Sequence, residues 1–520
     1  MNELVKALRG IVGADHVLTD RAEREYHSMD AFWTGAVCAA VVRPGTQEEA
    51  IAVVRAATAA DHAIVPRGGG MSYTSGYVPT RERSITLDAS RLQRVSEINE
   101  TDGHVTAESG VTWKALNETL AGRGLRTPYF GPLSGAFATV GGTLSNNSMF
   151  LGSGRHGTAA ENVLSLKVAL ADGRVLLTGS RANRGKNPFH RHFGPDLTGL
   201  FLSDAGALGL KLEATLRLIP APVETRFASF AFETFDDMFR AQAEIARRRS
   251  VAECYAFDPF LNREMASLKD TKTAVQTVKD VVKAAPSVVQ GIGDVLNMAL
   301  AGPHFLKNVA WSLHIVTEAN EAATAEAEMA TARASAAKRG REIPDTIPRV
   351  IRAAPFRHVG EFLVGHGGER WVPIHACLPL SKVSEAYART QSYFASHRET
   401  LDRFQVRTSL LTAVSGTDYI FEPAFYYPDR LTAFQLRNLL PADRERFASR
   451  PAVAGASEAV ISMLRDLSAL YLEMGAVHQQ IGKFYPYKEA LDPASFDVLS
   501  AFKAIVDPRG LMNPGALGLK

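Results

Sequence analysis

The stretch IVPRGGGMSYTSGY, residues 64–77, decides how the rest of the chain is interpreted. It begins as the end of a buried strand, which Pro66 is expected to stop. The three glycines at 68–70 can adopt backbone angles closed to other residues, and they carry no side chain that would keep a ligand away. Their amide groups can converge on an anion, beside the hydroxyls of Ser72 and Tyr73. The stretch predicts a loop that wraps a phosphate or pyrophosphate, with a glycine-rich surface turn as the alternative.

A second glycine-rich stretch, GPLSGAFATVGGTLSNNSMFLGSGRHG at residues 131–157, fits the same ligand. Glycines 141–142 permit close backbone approach, while Thr139 and residues 145–147 bring short side chains that can bond phosphate oxygens. Residues 152–157 also match the literal spacing of the Rossmann fingerprint. We attribute that match to chance, because no β-branched strand leads into it and no helix plainly begins there.

Bulk composition excludes several function classes. The 520 residues are 46% hydrophobic and 22% charged with a net charge of +3, which is typical of a globular protein and does not favour nucleic acid as a partner. Cys38, Cys254 and Cys377 are too far apart for a zinc pattern or a disulfide framework, and no other cluster suggests a metal. The N-terminus lacks the features of a signal peptide, so we expect a cytoplasmic protein.

Hydrophobic periodicity predicts three regions. In residues 1–222, strands alternate with helices such as 46–62 and 113–122, which indicates sheets with helices on their faces. Residues 223–454 form a second domain with an antiparallel sheet covered by helices, and residues 455–520 form a returning segment. Within the second domain, residues 270–300 are expected to be helical. This segment is a surface excursion, a partner-docking element or a contact with the inner face of a membrane.

The motifs together resemble the FAD-binding family of vanillyl-alcohol oxidase and p-cresol methylhydroxylase (PCMH), whose superfamily includes D-lactate, glycolate and D-2-hydroxyglutarate dehydrogenases. The resemblance is densest in VVRPGTQEEAIAVVRAA, VPRGGGMSY, ATVGGTLSNNS and the closing DPRGLMNPG. It implies an α+β protein with a two-subdomain PCMH-type FAD-binding domain and a cap domain. It also implies an FAD-linked oxidase or dehydrogenase that passes hydride from a CH–OH or benzylic CH group to flavin N5.

The resemblance further implies which residues hold the FAD. The first glycine loop would wrap the pyrophosphate, the second would line the other side of the dinucleotide, and a later pair would approach the adenine half. These residues are Pro66, Arg67, Gly68, Gly69, Gly70, Met71, Ser72, Pro132, Thr139, Gly141, Gly142, Ser145, Asn146, Leu208 and Gly209.

Two branches of the superfamily compete for the substrate. In the phenolic branch, Tyr73 and Tyr485 match tyrosines that hold a substrate phenolate, and Glu422 falls near active-site acidic positions. The expected substrate is an aromatic or phenolic alcohol or a para-alkylphenol. The family has Arg after the second tyrosine, where this chain has Pro486, and this departure weakens the assignment. For the family's covalent flavin link, the histidines in the right region are His358 and His366.

In the 2-hydroxy acid branch, FGPDLTGLFL and EATLRLIP match well, and His478 falls near the catalytic histidine. His478 could take the hydroxyl proton as hydride leaves. The G-H-x-G-D-G-N cluster of that branch is absent from the sequence. The electron acceptor stays open among oxygen, a quinone and a cytochrome, and we expect a homo-oligomer. A third alternative is a scaffold that kept the fold and lost the chemistry.

Overall fold

The first sheet places the first glycine loop. The computed structural model describes residues 2–267, 303–356, 360 and 363–520. Its four-stranded sheet has the order β1-β2-β4-β3, in which β2, β4 and β3 are parallel and β1 is antiparallel. The strands are β1 Val17–Leu18, β2 Ala40–Val42, β3 Ala63–Arg67 and β4 Ser84–Asp88. The helices of this part are α1 Asn2–Val12, α2 Arg21–Tyr26 and α3 Gln47–Ala59, and α1 and α3 bury their apolar faces against the sheet.

The expected end of the strand at Pro66 is wrong. Strand β3 continues through Pro66 and Arg67, which pair with Leu87 and Asp88 of β4. Proline is tolerated there because β3 lies at the end of the strand order, where a missing N–H interrupts no ladder between two full strands. The outer side of β3 is instead bonded by the end of the chain, through Ile64 and Met512.

A second, antiparallel sheet has the order β5-β6-β10-β8-β9, and a short pair joins β7 and β11. Helix α5 begins at the N-cap Thr139, whose hydroxyl accepts a hydrogen bond from the Gly142 amide at 3.3 Å. The strands are β5 Val95–Asn99, β6 His104–Glu108, β7 Leu125–Arg126, β8 Val163–Ala169, β9 Val175–Leu177, β10 Leu210–Arg217 and β11 Ile219–Pro220. The helices are α4 Trp113–Ala121, α5 Val140–Asn146, α6 Ser153–His156 and α7 Leu197–Leu200.

The third sheet is the expected antiparallel one, and it is called the cap sheet below. Its order is β15-β12-β14-β13-β18-β19-β16, with β17 also paired to β19. Its strands are β12 Glu224–Phe232, β13 Glu253–Phe257, β14 Trp311–Ala319, β15 Arg341–Ile343, β16 Arg370–Pro373, β17 Ala376–Leu378, β18 Arg407–Ser415 and β19 Asp418–Tyr427. The helices in this part are α8 Phe235–Ala246, α9 Pro259–Ser267, α10 Ala322–Ala337, α11 Thr346–Ala353, α12 Val383–Ser396, α13 Arg398–Arg403, α14 Ala433–Asn438 and α15 Pro441–Phe447. The segment 270–300 lies outside the described residues.

The last part of the chain returns to the first sheet. Helix α16 Ala456–Glu473 packs into the apolar core of the cap sheet, and α17 Tyr487–Ala490 and α18 Pro493–Val506 follow. The Ile64 amide then donates to the Leu511 carbonyl, and the Asn513 amide donates to the Ile64 carbonyl, each at 2.8 Å. The side chain of Asn513 also donates to the carbonyls of Gly76 and Ala205. These bonds fasten the strand that leads into the first glycine loop.

A buried cluster of charges joins the cap sheet to the second sheet's side of the molecule. Arg126 on β7 forms an ion pair with Glu318 on β14 at 2.5 Å. Arg352 on α11 pairs with Glu318 and, at 2.8 Å, with Glu253 on β13. Gly152 completes the cluster by donating its amide to Glu253 at 2.7 Å. Because each buried charge has an opposite partner, the cluster avoids the large cost of an unpaired buried ion.

Candidate cofactor and active site

The two glycine-rich stretches meet in the structure. A Cβ atom built on Gly68 would lie 2.4 Å from the Thr139 hydroxyl, and one built on Gly69 would lie 1.8 Å from the Phe137 carbonyl oxygen. Real Cβ atoms do not approach other atoms this closely, so position 69 requires glycine, and a side chain at position 68 would force the Thr139 hydroxyl to move. The sequence therefore places its glycines where one loop passes against the other.

A cavity lies where these loops meet. It is lined by the first loop, by the second loop, by the segment before β10 and by a few flanking residues. The lining residues are Pro66, Arg67, Gly68, Gly76, Tyr77, Ala89, Ser109, Thr139, Gly141, Gly142, Ser145, Asn146, Ala205, Gly206, Gly209, Leu210 and Lys211. Nine of the residues expected to hold the cofactor are among them: Pro66, Arg67, Gly68, Thr139, Gly141, Gly142, Ser145, Asn146 and Gly209.

The other expected residues do not line this cavity and support its walls instead. Gly70 has a φ of +71°, and its carbonyl accepts a hydrogen bond from the Tyr77 hydroxyl at 2.6 Å. The Ser72 hydroxyl lies 3.1 Å from that of Thr74. Leu208 is buried in the apolar core beneath the second sheet, and Met71 packs against that core. The Pro132 carbonyl accepts a hydrogen bond from the Gly135 amide. Gly69 lies against the backbone of Phe137.

The cavity carries cationic groups that suit a phosphate-bearing ligand. The guanidinium of Arg67 lies over the rings of Tyr26 and Tyr77, at 5.1 and 5.4 Å, and its buried Nε has no hydrogen-bond partner among the described residues. Lys211, which sequence reasoning missed, also lines the cavity and pairs with Asp204 at 2.5 Å. A buried guanidinium beside close-packed glycines fits the pyrophosphate of FAD, because the charge and the open backbone both favour an anion.

The four residues expected to be catalytic come together in a second cluster, although they are far apart in the sequence. The rings of His478 and Tyr485 are stacked, with 4.1 Å between their centroids. Burial raises the pKa of Tyr73 well above its usual value, and the nearby Glu422 and Tyr485 raise it further. Burial raises the pKa of Tyr485 as well, and the nearby Glu422 raises it further. Tyr73, Glu422, His478 and Tyr485 therefore share one site, which we call the aromatic cluster.

The backbone of His375, which the sequence led us to expect as a structural residue on a strand, connects two members of this cluster. Strands β16 and β17 are separated at residues 374–375, so the cap sheet is interrupted at this point. The His375 amide donates to the Tyr485 hydroxyl at 3.0 Å, and its carbonyl lies 2.8 Å from Nδ1 of His478. The break is fixed by the Ile374 amide, which donates to the carbonyl of Pro423. At such a break, backbone N–H and C=O groups can bond side chains instead of a neighbouring strand. The hydrophobic periodicity of the sequence does not reveal a break of this kind.

Two ionisable groups of the cluster matter for proton transfer, His478 and Glu422, and burial shifts their pKa values in opposite directions. Burial lowers the pKa of His478, so its imidazole is neutral at pH 7. A carbonyl can only accept, so Nδ1 of His478 carries the proton that it donates to His375, and Nε2 keeps its lone pair. Nε2 lies 3.5 Å from the Ser468 hydroxyl. Burial raises the pKa of Glu422 to about 7, and no Lys or Arg charge of the described residues opposes that shift.

Other expectations fall outside this geometry. His366 is exposed in the turn before β16, and His358 lies outside the described residues, so the covalent flavin link stays a prediction. Within the described ranges, no group of three His, Cys, Asp or Glu side chains could hold a metal ion. Among the helices that the structure describes, none combines the length and the apolar character needed to cross a bilayer.

Comparisons with known proteins support FAD as the ligand of this cavity. Residues 38–179 match the FAD binding domain, and residues 481–517 match the C-terminal domain of FAD linked oxidases. A mitochondrial D-lactate dehydrogenase [cytochrome] of Arabidopsis thaliana is 33% identical over 45% of this chain and 40% of that protein. A probable mitochondrial D-lactate dehydrogenase of Danio rerio is 32% identical over 43% of this chain and 44% of that protein. The chain thus spans less than half the length of these two relatives.

Solved structures show the fold. p-Cresol methylhydroxylase with substrate bound superposes with a TM-score of 0.73 and 16% identity, over 100% of this chain and 97% of that one. Alkyldihydroxyacetonephosphate synthase gives a TM-score of 0.68 and 15% identity, over 99% of this chain and 84% of that one. The predicted α+β fold with a PCMH-type domain and a cap sheet is confirmed, and so is FAD as the cofactor. The chain therefore contains an FAD binding domain and a C-terminal domain of FAD linked oxidases, and it has the fold of p-cresol methylhydroxylase.

Proposed function

We propose that this chain oxidises the alcohol carbon of a 2-hydroxy acid, with D-lactate as the first substrate to test. The observation that carries this proposal is the state of His478. Its Nδ1 is held by the His375 carbonyl, its Nε2 keeps a lone pair, and burial lowers its pKa. A neutral imidazole in this state can take the proton of a substrate hydroxyl. The similarity to D-lactate dehydrogenases supports the substrate class.

The cofactor and the protein have separate tasks in this reaction. Bound FAD would supply the hydride acceptor, and the cavity around Arg67, Thr139 and Lys211 would hold its dinucleotide part. The chain's own residues would orient the substrate and move the hydroxyl proton. Tyr485 and His478 are positioned for this by one residue, because both bind the backbone of His375. A pair fixed by backbone groups needs little reorganisation during the reaction.

An aromatic or phenolic alcohol is the second candidate, and the chemistry of the aromatic cluster favours it. The ring of Tyr73 lies 5.8 Å from that of Trp371 and 6.2 Å from that of His375. Glu422 is the acidic group of this cluster, and the carboxylate of a 2-hydroxy acid would be repelled by its charge above pH 7. A neutral aromatic substrate would avoid that repulsion and would pack against the rings.

One experiment separates these candidates. The purified flavoprotein is mixed anaerobically with D-lactate, L-lactate or 4-hydroxybenzyl alcohol, and the loss of the oxidised flavin absorbance is followed. Bleaching by D-lactate alone supports the first candidate, and bleaching by 4-hydroxybenzyl alcohol alone supports the second. Bleaching by L-lactate alone keeps the substrate class and changes its configuration, whereas bleaching by none of the three compounds overturns both candidates. The His478→Phe variant, with the Val477→Ala variant as a control beside it, tests whether the imidazole is needed.

A further inference from the structure

Exposed apolar side chains concentrate on one side of the FAD-binding domain. Phe189 and Phe193 are 56% and 57% exposed, and Leu197 at the start of α7 is 41% exposed. Single exposed apolar residues are ordinary, but two phenyl rings and a leucine within nine residues form a patch that calls for an explanation. We call these three residues, together with Arg184 and Lys186, the Phe189–Phe193 surface.

The loop that carries the two rings is held firmly. The Ser180 hydroxyl donates to the Asn187 carbonyl at 2.7 Å and accepts from the His190 amide at 2.9 Å. The Ser180 amide donates to the His190 carbonyl at 2.7 Å, and Arg191 donates to the Ala160 carbonyl at 2.7 Å. The rings are therefore presented outward by a bonded loop, although burying each ring would gain about 1.5–3 kcal/mol.

The charge of this loop is one-sided. Residues 183–195, NRGKNPFHRHFGP, contain no Asp or Glu, and Arg184 and Lys186 are exposed. The next acidic residue, Asp196, is bound by Arg191 at 2.8 Å. His190 lies between Phe189 and His192, with ring centroids 6.2 Å from each. Phenyl rings flanked by unopposed cations favour a partner that offers both an apolar interior and a negative surface.

A second apolar element lies beside the first. On α18, Val498 and Ile505 are exposed, and their spacing of seven residues puts them on the same face of the helix. The inner face of this helix packs against the residue that follows α7, because the rings of Phe502 and Phe201 lie 5.8 Å apart. Lys503 adds a hydrogen bond to the Ala207 carbonyl at 2.7 Å.

We propose that the Phe189–Phe193 surface docks the protein on an anionic lipid bilayer. The phenyl rings would enter the boundary between headgroups and acyl chains, while Arg184 and Lys186 would contact lipid phosphates. A flat protein partner fits less well, because the rings stand out from a loop rather than line a groove. The proposal does not depend on which substrate the enzyme takes.

The test is co-sedimentation of the full flavin-loaded chain with vesicles. Vesicles of phosphatidylglycerol and phosphatidylcholine are compared with vesicles of phosphatidylcholine alone, at low and high salt. We expect binding to the anionic vesicles only, weakened by salt. The Phe189→Ser/Phe193→Ser variant and the Arg184→Glu/Lys186→Glu variant should each weaken binding about tenfold or more. The Leu440→Ser variant, which changes an apolar residue 43% exposed near the cap sheet, should bind like the wild type.

Flavin content and melting temperature show that each variant is folded before its binding is judged. Equal binding of the wild type and both double variants would overturn the proposal. A second outcome would also overturn it: no vesicle binding, together with a wild-type dimer that the phenylalanine variant dissociates in light scattering. That result would assign the surface to a second copy of the chain.

Discussion

The imidazole of His478 lies face to face with the phenol ring of Tyr485, at 4.1 Å between centroids and 12° between planes. Both side chains bind the backbone of His375, one through its carbonyl and the other through its amide. This residue is free to do so because the cap sheet breaks between β16 and β17. The geometry of the aromatic cluster is therefore set by main-chain groups of the cap, and its variants should separate chemistry from folding.

We expect the His478→Phe variant to lose turnover and to keep its flavin. Phenylalanine preserves the stacked ring but removes the Nε2 lone pair, so kcat should fall about 100-fold or more with the identified substrate. Stopped-flow reduction of the flavin measures the step, and flavin absorbance measures cofactor content. Val477→Ala is the control, because its side chain is 64% exposed beside the site. Wild-type turnover in the histidine variant would remove His478 from the mechanism.

The Tyr485→Phe variant should be less stable by about 1–3 kcal/mol, because the buried His375 amide loses its acceptor. Urea unfolding followed by fluorescence measures the change. Tyr487→Phe should cost less than about 0.5 kcal/mol, since that ring is only half-buried. An equal loss in the two variants would mean that the hydroxyl of Tyr485 contributes nothing of its own.

Glu422 should make stability depend on pH between about 4.5 and 7. Burial raises the pKa of this carboxyl to about 7 in the folded protein, so the native state binds the proton more tightly than the unfolded state does. Stability from this group is present below pH 4.5 and is lost as pH rises through 7. The melting temperature of Glu422→Gln should therefore match the wild type near pH 4 and exceed it at pH 8.

Burial also raises the pKa of Asp30 and of Asp258 to about 7. Both residues are present in the wild type and in the Glu422→Gln variant, so their effect cancels when the two melting temperatures are subtracted. The remaining pH dependence belongs to Glu422. Glu118→Gln, which changes an exposed side chain on α4, is the control for the loss of a surface carboxyl. A constant difference for Glu422→Gln would contradict the shifted pKa.

Gly69→Ala should reduce the amount of bound FAD, because the new methyl group would meet the Phe137 carbonyl and push the two glycine loops apart. Gly185→Ala is the matched control, since no atom lies within 4 Å of the added carbon. The ratio of flavin to protein absorbance and the titration of apoprotein with FAD measure the effect. Normal FAD affinity in the Gly69 variant would show that the loops need not touch.

Removing the charge of Glu318 should destabilise the protein by about 3–5 kcal/mol, because Glu318→Gln leaves Arg126 and Arg352 with one fewer buried anion. Glu326→Gln on α10, which breaks an exposed pair with Arg226, should cost less than about 1 kcal/mol. Thermal unfolding of both variants tests the contrast. Similar losses would mean that burial adds nothing to the cluster.

The sequence predicted the elements whose causes are local. Glycines 68–70 and 141–142 identified the loops, and hydrophobic periodicity identified α3, because each depends on a few neighbouring residues. Long-range features were missed. Lys211 enters the cavity wall on β10, where the pairing register shifts between residues 211 and 213, and the alternation of the sequence does not reveal such a shift.

The cap sheet shows a second limit of sequence reasoning. Strands β13 and β19 were not predicted, although β19 carries Glu422. Strand β13 is buried on both faces and has no alternation to detect. His375 acts through its backbone groups at the break between β16 and β17. The Ile374 amide bonds the Pro423 carbonyl at this break, so the side chain of His375 gives no sign of it in the sequence.

The bonds from Leu511 and Asn513 to Ile64 have a consequence for biosynthesis. The strand entering the first glycine loop is translated early, yet the residues that fasten it leave the ribosome long afterwards. A nascent polypeptide should thus remain unable to retain its nucleotide until that late portion has emerged. Capture of the yellow cofactor would then report that translation had passed residue 513.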